Sequence, residues 1–268
     1  MGASASASAG AATRSEAPRS APGAFLDAFR AELSKLLSLG SFRAVIAGTI
    51  ALTAVATALL TQHAEFTVEA DPSGETPHLL DFGVVGLGWT QVGFFLAGVL
   101  AATSEYVGGQ IRTTLLAVPN RLVQKTAAML ALAVLVFPGA LLAAATGVGV
   151  VLASTGTVLE ALEPALTARV LCSAAGYLAC MAVLSAAVGS LVRKTVPAAA
   201  ILVVYLLVVS PLLQGLRWYF LPDMASYTFW YVISQPGAPP PFVGWIVVLA
   251  WTLGAAAVAA LVFRRRDT

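Results

Sequence analysis

Few side chains in this sequence are of a kind that does chemistry, and they fall in three places. His63 and His78 share one acidic stretch, residues 62–81, with Glu65, Glu69, Asp71, Glu75 and Asp81. Carboxylates and imidazoles gathered in a loop are the raw material of a divalent-cation site. The two histidines are fifteen residues apart, however, and no ligand-motif spacing joins the carboxylates, so a solvated cap outweighs a weak metal site. Cys172 and Cys180 both fall inside an apolar run, which favours small hydrophobes in a helix over a disulfide or a zinc site. The only lysines, Lys35, Lys125 and Lys194, lack the glycine-rich context of a phosphate loop. The chain is therefore expected to carry no catalytic, cofactor-binding or metal-ligating residue of its own.

The third place is the segment from Ser104 to Lys125, SEYVGGQIRTTLLAVPNRLVQK. Glu105, Arg112, Arg121 and Lys125 alternate there with Ile111, Leu115, Leu116 and Val118. Gly108-Gly109 lets the backbone break, and Gln110 to Ala117 has room for about two helical turns before Pro119 ends them. A short amphipathic helix of this kind would plug a groove on a soluble partner. An ordinary basic loop is the plainer alternative.

The elements that must position this segment are legible from composition. Apolar residues make up 59% of the 268 positions and charged residues 10%, with a mean hydropathy of +0.86. A water-facing domain carries about a quarter charged residues, so lipid must be the solvent for most of this surface. Residues 1–23 are Ala, Ser, Pro and Gly without periodicity and read as a disordered tail; they lack the apolar core of a signal peptide. Over 24–38, Phe25, Phe29, Leu33, Leu36 and Leu37 recur at helical spacing against Asp27, Arg30, Glu32, Ser34 and Lys35. That pattern suits a helix lying in the headgroup region, with a packed cytoplasmic helix as the alternative.

Six apolar stretches follow, at 44–60, 82–103, 126–152, 170–191, 196–216 and 242–263, each long enough to cross the ~30 Å hydrocarbon core. The third contains Pro138-Gly139, where a kink or tilt is expected. None of the six stretches contains Asp, Glu, Lys or Arg. With the N-terminus inside, the cytoplasmic segments hold thirteen of the 15 basic residues, leaving only Arg169 and Arg217 outside. The positive-inside rule thus predicts an all-α membrane protein of six transmembrane helices with an N-terminal amphipathic interfacial helix and both termini cytoplasmic. Small residues four apart, Gly139 with Ala143 and Ala182 with Ala186, would let helices approach closely, although alanine is abundant enough for chance to produce them.

Uncharged spans weigh against a proton-coupled transporter, which keeps an ionisable group in the membrane, and against an intramembrane hydrolase. A path or docking surface powered from elsewhere remains. Here the stretch Glu105-Tyr106, Gly108, Ile111 to Pro119 and Arg121 resembles the corresponding loop of bacterial ABC transporter permeases of the type-2 (ABC-2) exporter class. Phe29, Glu32 and Lys35 resemble the connecting helix of those proteins, and the likeness extends over the chain after the tail. Asn120 departs from it, standing where many relatives have a basic residue.

The resemblance implies a bacterial plasma-membrane subunit partnered by a cytoplasmic ABC ATPase that binds ATP and magnesium, and by a second permease copy or paralogue. It implies no nucleic-acid partner. The 104–125 loop would be the coupling helix pressed into the ATPase, with Glu105, Gly108, Arg112, Pro119 and Arg121 as contacts or hinge anchors and Ile111, Leu115 and Leu116 as its apolar face. In the last external loop, 217–241, Trp218, Tyr219, Phe220, Trp230 and Tyr231 read equally as an interfacial aromatic belt or, by the resemblance, as re-entrant helices gating the exit. The function so implied is export of a small molecule, peptide or lipid-like compound. A non-transport assembly or sensing partner of another complex is the alternative, and secondary transport a weaker one.

Overall fold

The computed structural model of the chain describes residues 21–62, 78–109, 121–157, 162–214, 219–232 and 237–265. The tail before 21, most of the acidic stretch, the expected coupling helix 110–120 and Arg217-Trp218 lie outside the described residues. Within them the chain is helical, with no strand. The helices are α1 (Ala21–Ser38), α2 (Gly40–Thr61), α3 (Leu79–Thr90), α4 (Val92–Thr103), α5 (Arg121–Thr155), α6 (Pro164–Val192), α7 (Thr195–Val204), α8 (Ser210–Gln214), α9 (Pro222–Ser226) and α10 (Pro241–Arg265). A 3₁₀ segment, Ser104–Gly109, follows α4, and a π-helical turn, Tyr205–Val209, joins α7 to α8.

Five helical stretches are long and apolar enough to cross a membrane: α2, α5, α6, α10 and the run Thr195–Leu213. The α3–α4 pair makes a sixth if its two halves, bent by 43° at Gln91, form one crossing. The second expected stretch is therefore broken, and the reason is polar. Gln91 turns its side chain inward, donating to the Gly88 carbonyl at 2.8 Å and accepting from the Tyr177 hydroxyl of α6 at 3.1 Å. Away from water a helix break persists where side chains answer its polar groups. Pro138, where a kink or tilt is expected, lies inside the single helix α5.

The helices also outrun the apolar stretches. α5 has 35 residues and α6 has 29, so they are about 52 Å and 44 Å long at 1.5 Å per residue. Hydropathy marks only the part of a helix suited to hydrocarbon, whereas backbone hydrogen bonding continues through polar residues. Charges expected outside the spans consequently belong to these helices: Asp81 in α3, Lys125 in α5 and Arg169 in α6.

Packing centres on α6, which lies against α4, α5 and α10 around a core containing Phe94, Phe95, Leu132, Tyr177 and Leu178. α2 joins this core through a column of threonines, Thr49, Thr53, Thr57 and Thr61, one per turn and all buried. Thr49 and Thr57 occupy the space where a side chain at Gly93 and Gly86 would stand, so the two backbones come close. Thr53 and Thr90 share a hydroxyl hydrogen bond of 2.6 Å inside the contact.

α1 turns most of its expected apolar face inward, Leu36 with Phe29 and Leu33, and leaves Asp27, Arg30 and Ser34 exposed, but it also buries Glu32. Ala28, Glu32 and Leu36 are buried, whereas Leu26 and Leu37 are exposed. α1 packs on α5, and its Glu32 and Lys35 turn toward the bundle rather than away from it. An apolar moment could not reveal this, because the partners drawing Glu32 inward are polar.

Candidate functional site

Two polar clusters occupy opposite ends of the bundle. The first gathers where α1, α4, α5 and α6 converge. Glu105, in the 3₁₀ segment after α4, is 5% exposed and accepts from Lys35 Nζ of α1 at 2.8 Å. Lys35 also pairs with Glu32 one turn back on its own helix. Gln124, in the first turn of α5, donates its amide to Glu32 and to Glu105, each at 3.3 Å. Its neighbour Lys125, 4% exposed, reaches the Ser190 hydroxyl of α6 at 2.5 Å and sits 5.8 Å above the Phe263 ring of α10. Two carboxylates and two lysine side chains thus gather here, with a void of about 20 Å³ bordered by Glu32, Glu105 and Lys125. Burial pulls the Lys35 pKa down, but Glu105 and then Glu32 outweigh it, and the ammonium titrates above its ordinary value.

The same end carries a tight turn between α6 and α7. Arg193 adopts a left-handed conformation, φ 59°, and donates its backbone N–H to the Gly189 carbonyl at 2.8 Å. That conformation costs a non-glycine residue roughly 1–2 kcal/mol. The Arg193 guanidinium stacks over the Tyr106 ring at 5.5 Å, and the Tyr106 hydroxyl reaches the Ser190 carbonyl at 3.4 Å.

The second cluster lies at the other end, where residues 219–232 fold back against α3, α6, α10 and the end of the Thr195–Leu213 run. α9 is buried along its whole length. Asp223 within it, 4% exposed, accepts from the hydroxyls of Tyr205 and Ser210. Phe229 and Trp230 are buried, Phe229 stacking on Trp245 at 4.3 Å and Trp230 meeting Tyr177 edge-on at 5.3 Å. Asp81 accepts from the Val232 backbone N–H at 2.5 Å, and Arg169 donates to the Phe229 and Tyr231 carbonyls, both at 3.4 Å. A cavity of about 310 Å³ opens between this segment, the Gln91 break and the π-helical turn.

The expected site residues are distributed unevenly. Glu105 is in the first cluster. Gly108 is the next-to-last residue of the 3₁₀ segment, and Arg121 is the first residue of α5. Ile111, Arg112, Leu115, Leu116 and Pro119 lie outside the described residues, as does Trp218. Tyr219 is partly buried, with a hydroxyl lacking a partner, and Phe220 is half-exposed. Trp230 is buried inside the bundle and Tyr231 lines the cavity.

Sequence reasoning passed over Glu32, Lys35 and Lys125 as one network, and over Asp223. The first three are separated by up to 93 positions, and only the fold brings them together. Asp223 did have a signal: it is the one acidic residue in the stretch 217–241, set among aromatics. Among the described residues no group of three or more His, Cys, Asp and Glu is placed to hold a metal ion. Both cysteines are free thiols. No protein-family model matches the chain, and no curated protein matches it in sequence.

Proposed function

We propose that this chain is the membrane-spanning permease subunit of an ATP-driven exporter of the ABC-2 class, seated in a bacterial plasma membrane with both termini inside. In this reading α1 is the connecting helix in the headgroup region and 110–120 is the coupling helix against a separate ATPase. The chain works with a second permease copy or paralogue, and the cargo is a small molecule, peptide or lipid-like compound. ATP and magnesium are bound by the ATPase and not by this chain.

One observation carries the reading: a single ion network grips both flanks of the 110–120 segment. Glu105 stands five residues before it, and Gln124 and Lys125 four and five residues after it. Lys35 carries this network to α1, and the neighbouring Lys125–Ser190 hydrogen bond ties the start of α5 to α6. Force delivered to the segment from the cytoplasm would therefore reach four helices together rather than be absorbed by a loose loop. A network of opposite charges in a nearly void-free site suits that task, because separating any member leaves a charge without its partner.

The decisive experiment is co-purification of the chain with an ATPase carrying a phosphate loop, encoded beside it, and vanadate-sensitive ATP hydrolysis by the pair. Loss of transport in Arg112→Glu at matched protein level, with hydrolysis retained, would place coupling in the loop. Failure to co-purify, together with unchanged transport in Arg112→Glu, would overturn the reading in favour of an assembly or sensing partner.

A further inference from the structure

We infer that the cavity beside Asp223 is a binding site for an organic ammonium ion carrying an aromatic or aliphatic body. Occupancy is a property of the chain alone. Describing that ligand as cargo rests on the permease reading above.

The first argument is the unspent capacity of one carboxylate. An ionised carboxylate offers about four lone-pair positions. Tyr205 and Ser210 donate to one oxygen each, and Asp223 lines the cavity with the remainder. Both donors are neutral hydroxyls, and among the described residues no Lys, Arg or His pairs with Asp223. A buried carboxylate with no cation nearby is an uncommon arrangement, because its desolvation is ordinarily offset by a paired charge. The Glu105 end of this chain follows that ordinary rule. An incoming cation would complete the Asp223 end in the same way.

The walls supply the second argument. Trp89, Tyr227, Trp230 and Tyr231 line the same cavity. Electron-rich ring faces around a carboxylate are the chemistry that selects ammonium groups over neutral molecules of equal size. The volume of about 310 Å³ sits at the lower end for small-molecule sites, enough for a head group and one ring.

Two backbone irregularities converge on this cavity, and both have side-chain causes. The α3–α4 break at Gln91 forms part of its lining, together with Gly88 and Trp89 from the turn before. On the facing side Pro211 has no N–H to give, and the helix widens into the π turn 205–209, in which Ser210 N–H returns to the Tyr205 carbonyl. That insertion faces Leu206, Leu207 and Ser210 toward the cavity. π turns are maintained where a side chain must be re-aimed, commonly at binding sites. With twelve residues in each half, the break falls about 18 Å from either end of the α3–α4 pair. The cavity thus reaches the middle of a crossing.

The test uses the full chain in phosphatidylglycerol nanodiscs, a lipid without an ammonium group. Benzyltrimethylammonium is titrated calorimetrically against its neutral carbon isostere, 2,2-dimethylpropylbenzene. Saturable binding of the cation is expected, with the isostere at least about tenfold weaker, a factor of the size that a charged hydrogen-bonding partner commonly confers. Asp223→Asn should weaken the cation about tenfold and leave the isostere unchanged. Trp89→Ala, at a side chain 67% exposed and so removable without disturbing packing, should weaken it about threefold.

Equal affinity for cation and isostere, or no saturable binding, would overturn the inference. So would an affinity unchanged in Asp223→Asn. If Asp223→Asn does not purify as a folded species, the wild-type comparison and Trp89→Ala decide. Exchanging the lipid for phosphatidylethanolamine identifies the natural source: weakened apparent binding points to a lipid headgroup, and unchanged binding to a free amine. ATP hydrolysis by a co-purified ATPase is scored separately, so cation binding without such a partner refutes the permease reading alone.

Discussion

The two ends of this bundle bury carboxylates by opposite means. At one end Glu32 and Glu105 meet Lys35, Lys125 lies beside them on the Ser190 hydroxyl, and a void of about 20 Å³ is left among them. At the other, Asp223 meets only hydroxyls among the described residues, beside an opening of about 310 Å³. The first arrangement has no capacity left for another molecule and resists separation of its parts. The second keeps acceptor positions and space in hand. One chain of six apolar stretches thus holds a fastener and a receptacle, and the difference lies in which charges the fold brings together rather than in how many it buries.

Glu105→Ala should have the largest effect. Breaking a fully buried ion pair costs about 3–5 kcal/mol, whereas interhelical hydrogen bonds in membranes average about 0.6 kcal/mol. Lys35 retains 31% side-chain exposure, which places this network between those limits, and about 2–3 kcal/mol is expected. Equilibrium unfolding in mixed micelles would measure it, and Lys35→Met combined with Glu105→Gln should recover part of the loss. A cost for Glu105→Ala no greater than that of Asp223→Asn would erase the distinction between fastener and receptacle.

Gly98→Ala tests the rigid body that joins the two ends. A β-carbon at Gly98 would overlap the Ala182 carbonyl oxygen, a backbone atom that moves only if α4 and α6 separate. Overpacking of this kind costs about 1–3 kcal/mol. The matched control is Gly254→Ala, where nothing lies within 4 Å and helix propensity favours alanine by about 0.5–1 kcal/mol. Opposite signs for the two substitutions in the same unfolding assay are the expected outcome. A destabilising Gly254→Ala would indicate that a second copy or another partner covers that face.

Asp223→Asn should cost less than either Glu105→Ala or Gly98→Ala. Asparagine keeps the shape and one acceptor oxygen for Tyr205 and Ser210, and no cationic neighbour among the described residues is left stranded. About 1 kcal/mol is expected, the value of one charged hydrogen bond reduced to a neutral one. A loss of 3 kcal/mol or more would show that the carboxylate serves packing rather than a ligand.

These contrasts explain what was legible in the sequence. Spans were readable because lipid demands long apolar windows, and five of the six stretches reappear as unbroken runs. The Gln91 break was not, since a glutamine in an apolar run signals nothing until Tyr177, 86 positions away, is known to meet it. Span ends misled for a related reason: Lys125 and Asp81 read as loop residues because hydropathy reports solvent preference and not hydrogen-bonded helix. Likewise the α1 pattern identified a helix correctly but assigned Glu32 to water. At the site level Glu105 stood out through its neighbours in sequence, whereas its partners Lys35 and Gln124 arrive only with the tertiary fold.

The smallest effect concerns pH. Lys35 titrates above its ordinary value of 10.5 because Glu105 and Glu32 outweigh its desolvation. Below 10.5 the ammonium is protonated in both folded and unfolded chains, and the pairing contributes in full. As pH climbs past 10.5 the unfolded chain releases its proton first, the folded chain binds more protons, and stability falls until the folded pKa is passed. A partly exposed pair contributes about 0.2–1 kcal/mol, so the effect is small. It is read as the gap in unfolding free energy between wild type and Lys35→Met, measured from about pH 8 to 11.5. The gap should be flat to 10.5 and close above it. Tyrosines titrate in both proteins and largely cancel from the difference. A gap for Lys35→Met that stays constant through the alkaline range would mean that the Lys35–Glu105 contact contributes nothing to holding α1 against the bundle.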